Sequence, residues 1–146
     1  MINKSGFLLL LLVLLVVSAC GNQPSPTNSS DDFGKRVEVP GGAYTDVSVT
    51  ELQTLLASKD FTFVNVHIPF EGDIAQTDLS IPYDEIEQNL GMLPQEKAAK
   101  IVLYCRSDRM SRIAAEKLVE LGYANIWNLD GGMLAWEQAG LPLEGK

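Results

Sequence analysis

The sequence predicts an α/β domain in which a central, mainly parallel β-sheet is flanked by helices. Its 146 residues are enough for about one domain. Segments rich in β-branched and aromatic residues alternate along the chain with segments whose apolar residues recur at helical spacing. Because parallel strands need long crossovers, which are usually helical, this alternation favours a mainly parallel sheet.

Residues 1–19 have the composition of a secretory signal peptide. Lys4 precedes an unbroken apolar run of eleven residues, which is short for a membrane-spanning helix and typical of a signal peptide. Residues 17–20, Val-Ser-Ala-Cys, resemble the bacterial lipobox. That resemblance implies lipidation of Cys20 and an extracytoplasmic protein anchored to a bacterial membrane. An ordinary signal peptide and an uncleaved anchor are the alternatives.

The next stretch, residues 20–32, is polar and rich in Ser, Asn and Pro, which predicts a flexible tether. The folded domain is expected to span residues 33–146. Its first part, residues 33–44, contains Pro40-Gly41-Gly42 and is predicted to be an arm with turns.

The first helix is predicted to begin at Thr50, because threonine is a good N-cap residue. β-Branched and aromatic residues then predict a strand over residues 61–67. The following stretch is less regular, with a loop at residues 81–84 and a short helix near residues 85–90. The apolar side chains on one face of the first helix are Leu52, Leu55 and Leu56.

In the second half of the domain, predicted strands and helices alternate more clearly. Strands are predicted over residues 100–104 and 124–129, with a helix over residues 111–121 between them. Asp130 is expected to cap a last helix over residues 131–139. The predicted core positions of the middle helix are Ile113, Ala114, Leu118 and Leu121.

The charge balance argues against a nucleic-acid partner. The chain carries 19 acidic and 11 basic side chains, for a formal net charge of −8. Phosphate backbones are bound by basic surfaces, so this composition excludes an electrostatic footprint for DNA or RNA on the chain as a whole.

Cys105 directly follows the predicted strand at residues 100–104, and three of the next seven residues are Arg106, Arg109 and Arg112. In parallel sheets, sites form at the carboxyl ends of strands. A helix N-terminus and nearby cations favour a negatively charged sulfur, and the thiolate is the nucleophile. If Cys20 is lipidated, Cys105 has no disulfide partner in this chain, since the sequence has two cysteines.

This loop resembles the active-site loop of the single-domain rhodanese family, whose usual pattern is C-R-S-G-x-R-S. The ending is similar too, because Gly131-Gly132 and Trp136 match the family's G-G-x-x-x-W helix, and residues 140–143 match its G-x-P-L end. The resemblance covers roughly residues 45–146. The loop residues that align with this pattern are Cys105, Arg106, Ser107, Asp108, Arg109, Met110 and Ser111.

The resemblance implies a rhodanese-like three-layer domain and a sulfurtransferase activity. Cys105 would accept a sulfane sulfur, carry it as a persulfide and pass it to a nucleophilic acceptor. The other loop residues would bind the anion. The implied partners are a small sulfur-containing anion or a thiol acceptor, and neither a metal nor an organic cofactor is implied.

The chain departs from the family pattern at several positions. Asp108 stands where glycine is usual; it tolerates a left-handed backbone, but its charge is expected to oppose an anion. Met110 replaces an arginine that resembles an oxyanion holder, and Arg109 is a partial substitute. Asn65-Val66-His67 replaces the family's D-V-R, which predicts the loss of an aspartate–arginine pair. Weak activity or an unusual sulfur donor is the expected consequence.

Other functions remain as alternatives at this stage. The chain could be a rhodanese-fold binding module without turnover, or a thiol redox sensor. Cys105 could also be a small core residue. Phosphatases and arsenate reductases of this fold need C-x-x-x-x-x-R, and Arg112 lies one position too far along. His67, the only histidine, is expected to be a polar residue at a strand end rather than an acid or base.

Overall fold

The computed structural model describes residues 33–146. The predictions for residues 1–32, which are the signal peptide, the lipidation of Cys20 and the tether, lie outside the described residues. Within residues 33–146, none of the helices is both long enough and apolar enough to cross a bilayer.

Six strands form one sheet in the order β1-β2-β6-β5-β3-β4. β1 and β2 pair antiparallel, and every other neighbouring pair is parallel. The predicted α/β class with a mainly parallel sheet is therefore confirmed. The strands are β1 (Lys35–Val39), β2 (Gly42–Val47), β3 (Thr62–Asn65), β4 (Leu79–Ser80), β5 (Ile101–Tyr104) and β6 (Ile126–Leu129).

Three helices cover the two faces of this sheet. They are α1 (Val49–Ala57), α2 (Arg109–Glu120) and α3 (Gly132–Gln138). The buried residues of α2 pack in one apolar cluster, whereas those of α1 and α3 pack in a second. β5 contributes alternate residues to both, with Leu103 in the first cluster and Tyr104 in the second. The result is three layers, with the sheet in the middle.

The stretch at residues 33–44, predicted to be an arm with turns, is part of the sheet. β1 and β2 form a hairpin there, with the turn at Pro40-Gly41 where the sequence indicated one. β1 is mostly exposed, and its apolar alternation is limited to Val37 and Val39, so its sequence carries little strand signal. β2 is instead fixed by tertiary pairing, because Thr45 to Val47 lie beside residues 127–129 of β6.

Helix boundaries also differ from the predictions. α1 is capped by Ser48 rather than Thr50, in a capping box with Glu51. Asp130 does not cap α3, whose N-cap is Gly131 with no side-chain hydrogen bond. The short helix predicted near residues 85–90 is wrong, since that stretch contains turns between two 3₁₀ segments, Tyr83–Glu85 and Leu90–Met92.

α2 begins two residues earlier than predicted and presents a different face to the core. Ile113, expected in the core, is 42% exposed. The predicted strands at residues 61–67 and 124–129 are shorter in the structure, at Thr62–Asn65 and Ile126–Leu129. The buried residues of α2 are Ser111, Ala114, Ala115, Leu118 and Val119.

Candidate active site

Cys105 directly follows β5 and lies at the floor of a small pocket. The residue is 2% exposed, and the pocket encloses about 140 Å³. We call this the Cys105 pocket. The parallel sheet places it at the carboxyl end of a central strand, as the sequence predicts. Its lining residues are His67, Cys105, Arg106, Ser107, Arg109 and Met110.

Ser111 is the loop residue in contact with the thiol. Its side chain is fully buried, and its Oγ lies 3.4 Å from the Cys105 Sγ and 3.0 Å from the carbonyl oxygen of Asp108. A hydroxyl has one proton to donate, so it can serve only one of these acceptors at a time. Ser111 can therefore donate a hydrogen bond to the sulfur when the sulfur becomes negative.

The start of α3 donates backbone hydrogen bonds to the cysteine loop. The backbone N–H of Met133 donates to the carbonyl of Cys105 at 2.9 Å, and that of Leu134 donates to the carbonyl of Arg106 at 3.0 Å. A Cβ on Gly132, where φ is +57°, would lie 2.3 Å from the Cys105 carbonyl oxygen. The Gly-Gly sequence is thus required by the close approach of these two segments.

The backbone N–H groups of the loop are available to a ligand. Among the described residues, none accepts a hydrogen bond from the N–H groups of residues 106–110. The first turn of α2, which starts at Arg109, also lacks intrahelical acceptors for its N–H groups. Successive free N–H groups beside a helix N-terminus form an anion-binding concavity.

Asp108 has the positive φ that its glycine-like position requires, at +81°. Its carboxylate accepts hydrogen bonds from the N–H of Gly131 at 2.8 Å and the amide of Asn128 at 3.4 Å. Asp108 does not line the Cys105 pocket. Its carboxylate is bonded instead to the loop between β6 and α3, and the expectation that its charge opposes an anion stays a prediction.

The three arginines after Cys105 have different partners. Arg106 forms an ion pair with Glu71. Arg112 approaches Asp130 at 2.9 Å and Asp46 at 3.5 Å, on the side of α2 away from the thiol. Arg109 is exposed, lines the Cys105 pocket and makes no ion pair with any carboxylate of residues 33–146.

Three carboxylates surround the Arg112 guanidinium, those of Asp46, Asp108 and Asp130. Burial raises the pKa of the Asp46 carboxyl, while the Asn128 amide and the Arg112 guanidinium act in the opposite direction. Burial works to lower the pKa of Arg112, but the carboxylates of Asp108 and Asp46 outweigh it and raise that pKa. Arg112 is therefore a structural cation and not part of the Cys105 pocket.

His67 also lines the Cys105 pocket. The sequence predicted only a polar residue at a strand end. The side chain of His67 is 7% exposed, and its Nε2 lies 3.8 Å from the Glu71 Oε2. Neither ring nitrogen has a hydrogen-bond partner among the described residues. The signal was its position just after β3, because β3 and β5 are neighbours and their carboxyl ends meet.

A buried polar network fixes the segment that carries His67 and Glu71. The Asn65 side chain donates to the Gly72 carbonyl at 3.1 Å and to the Asp73 Oδ1 at 2.8 Å, and its Oδ1 accepts the N–H of His67 at 3.0 Å. The Tyr104 hydroxyl donates to the same Asp73 oxygen at 3.1 Å, and burial raises the pKa of this phenol. Asn65 thus makes amide hydrogen bonds where the family has its aspartate–arginine pair.

Within residues 33–146, no three potential metal-ligating side chains of His, Cys, Asp or Glu come together. The residues of the Cys105 pocket offer one thiol, one imidazole and cationic groups. This set suits anion binding and sulfur nucleophilicity.

The sequence and the structure both resemble known proteins. The family model described as "Rhodanese-like domain" matches residues 51–139. An uncharacterised protein of Synechocystis sp. is 38% identical over 93 residues, covering 62% of this chain and 51% of that protein, so the match spans about half of that relative's length. A protein of Allochromatium vinosum named sulfurtransferase is 34% identical over 95 residues, covering 62% of this chain and 85% of that protein.

Two solved structures have the same architecture. A rhodanese-related protein from Thermoplasma volcanium superposes with a TM-score of 0.59 at 28% identity, covering 69% of this chain and 98% of that one. A human single-domain sulfurtransferase gives a TM-score of 0.58 at 27% identity, covering 64% and 95%. Its fold, its loop after β5 and these matches show that the chain belongs to the rhodanese-like domain family, which includes named sulfurtransferases.

Proposed function

We propose that this protein is a sulfurtransferase that carries a sulfane sulfur as a persulfide on Cys105 and passes it to a thiophilic acceptor. A lipid on Cys20 would anchor it to a bacterial membrane, outside the cytoplasm. The observation that carries the proposal is the thiol at the floor of a pocket whose rim has free backbone N–H groups. Membership of the rhodanese-like family and the named sulfurtransferases among the relatives support it.

Loading of the cysteine follows from this arrangement. With thiosulfate as donor, the Cys105 thiolate attacks the outer sulfur, and a bond forms between Sγ and that sulfur. The sulfur–sulfur bond of the donor breaks, and sulfite leaves with the electron pair. The terminal sulfur of the persulfide is then negative, and the N–H groups of residues 106–110 are placed to stabilise it.

The choice of donor depends on the cations at the rim. Met110 occupies the family's arginine position, and Arg106 is already paired with Glu71. Arg109 is then the guanidinium available to the oxyanion end of a donor. We therefore expect thiosulfate to be a weaker donor than an uncharged or polysulfide donor, which needs no oxyanion clamp.

The test is to incubate the purified full chain with thiosulfate, mercaptopyruvate or a polysulfide and to measure its intact mass. The wild type is expected to gain one sulfur atom, which cyanide removes, and Cys105→Ala is expected to gain none. Cys20→Ala is the matched control, because it removes the other cysteine and should still gain the sulfur.

A well-folded wild type that gains no sulfur from any donor would contradict the proposal. The binding-module alternative would then lead, and Cys105→Ala should bind an anion or a protein partner as well as the wild type does. Peroxide adducts on Cys105, without sulfur loading, would instead favour the redox sensor.

A further inference from the structure

His67 lies in the Cys105 pocket without any hydrogen bond to its ring. Its side chain is 7% exposed, and both Nδ1 and Nε2 are buried without a hydrogen-bond partner in residues 33–146. Buried polar atoms are normally paired, and leaving them unpaired is unfavourable. This imidazole is therefore an exception that calls for a functional explanation.

The backbone of His67 is held by a hydrogen bond, whereas its ring makes none among the described residues. Its N–H donates to Asn65 Oδ1 at 3.0 Å, and Asn65 is itself bonded to Asp73. A change of χ2 would break no hydrogen bond of the ring within residues 33–146. Hydrogen bonds of acids and bases in ligand-free sites often form only when the substrate enters.

Charged groups of the neighbouring segments lie beside the imidazole. Glu71 Oε2 lies 3.8 Å from His67 Nε2 and also accepts the guanidinium of Arg106. Arg106 and Arg109 line the same pocket.

We propose that His67 transfers the proton when sulfur passes from Cys105 to a thiol acceptor, an inference that rests on the sulfurtransferase function proposed above. The acceptor thiol gives its proton to the imidazole, and its sulfur attacks the outer sulfur of the Cys105 persulfide. A new sulfur–sulfur bond forms on the acceptor, and the bond to Cys105 Sγ breaks with its electron pair left on Sγ. His67 then returns the proton to Sγ, so the products are an acceptor persulfide and the Cys105 thiol.

The test separates loading from discharge. The full chain is loaded with polysulfide, the excess is removed, and loss of the sulfur is followed by intact mass after addition of mercaptoethanol or of sulfite at mildly alkaline pH. Mercaptoethanol must lose a proton, whereas the attacking sulfur of sulfite carries none. His67→Gln is expected to lower the ratio of the mercaptoethanol rate to the sulfite rate about 100-fold, the usual contribution of a positioned base.

Two further variants make the result specific. Glu116→Gln changes an exposed side chain of α2 that does not line the Cys105 pocket, and it should keep the wild-type ratio. His67→Ala should lose the mercaptoethanol reaction as His67→Gln does, and added imidazole should restore part of it.

A merely structural His67 would slow both acceptors equally and show no imidazole rescue, and either result overturns the inference. Failure of the proposed function is seen separately, because the wild type then takes up no sulfur before any acceptor is added. The single histidine of the chain makes the assignment unambiguous.

Discussion

At the level of single residues, the three arginines that follow Cys105 in the sequence do not all add positive charge to its pocket. They are Arg106, Arg109 and Arg112. Arg106 is neutralised by Glu71, from the segment after β3. Arg112 is neutralised by carboxylates of β2 and of the loop after β6. The net positive charge at the Cys105 pocket therefore comes mainly from Arg109 and from backbone N–H groups.

Arg109→Gln is expected to raise the KM for thiosulfate about tenfold, which corresponds to the loss of roughly one charged hydrogen bond. Loading by an uncharged sulfur donor should change much less, because it has no oxyanion to bind. The measurement is the rate of sulfur uptake against donor concentration. Arg36→Gln is the matched control, since Arg36 is exposed on β1 and pairs only with Glu38 among the described residues. Equal KM values in the two variants would show that Arg109 does not bind the donor.

At the level of elements, the start of α1 ties the hairpin to the helix layer. Glu51 accepts hydrogen bonds from the N–H of Ser48 and the N–H of Gly34, both at 2.7 Å. These two bonds lower the pKa of the Glu51 carboxyl from its usual value of 4.5. The ionised carboxylate therefore stabilises the folded state more than the unfolded state.

The pH dependence follows from the direction of that shift. The stabilisation by Glu51 is complete above its unfolded value of 4.5 and is lost as the pH falls through its lower folded pKa. Glu51→Gln should be less stable than the wild type by about 1 kcal/mol at neutral pH, the usual effect of a helix cap. The two proteins should converge in acid, where both side chains are neutral.

Urea unfolding of both proteins over an acid-to-neutral pH series measures this difference. Glu116→Gln is the control, because Glu116 is exposed on α2 and makes no ion pair within residues 33–146. A difference between Glu51→Gln and the wild type that does not change with pH would contradict the role of the charge.

Elements with a strong local pattern could be predicted from the sequence. β5 is a continuous buried run, and α2 has a helical repeat. β1 and β2 could not be predicted in this way, because β1 is short and mostly exposed and the pairing of β2 with β6 is a tertiary effect. The α1 cap was misplaced because Ser48 and Thr50 are both good N-cap residues, and the choice depends on Glu51.

The sequence predicts the cysteine loop of the candidate site. It does not predict which residues from other segments complete the pocket. Cys105 and the turn at Asp108 follow from the order of residues in one segment. The position of His67 does not, because it depends on β3 and β5 being neighbours in the sheet. Strand order is set by the packing of the whole domain, and the alternation of strands and helices along the sequence does not determine it.

At the scale of the whole molecule, distant parts of the chain combine to support one small site. The segment after β3 supplies His67 and Glu71, and it is joined to the C-terminal stretch by paired backbone hydrogen bonds between Asp73 and Glu144, at 2.8 and 2.7 Å. α3 supports the loop carbonyls of Cys105 and Arg106 from the other side. The pocket is therefore built by the overall topology, with the cysteine loop as its centre.

The proposed anchor gives the last prediction, which concerns the full chain in a bacterial host. If Cys20 is lipidated, its acyl chains bury many methylenes at about 0.8 kcal/mol each, which is enough for stable membrane attachment. Cys20→Ala should then lose incorporation of labelled fatty acid and move from the detergent-rich to the aqueous phase on Triton X-114 partition. Cys105→Ala is the matched cysteine control and should stay in the detergent-rich phase with its label. An apolar N-terminal segment that acts as an uncleaved anchor would keep Cys20→Ala in the detergent-rich phase, and no fatty acid would label either protein.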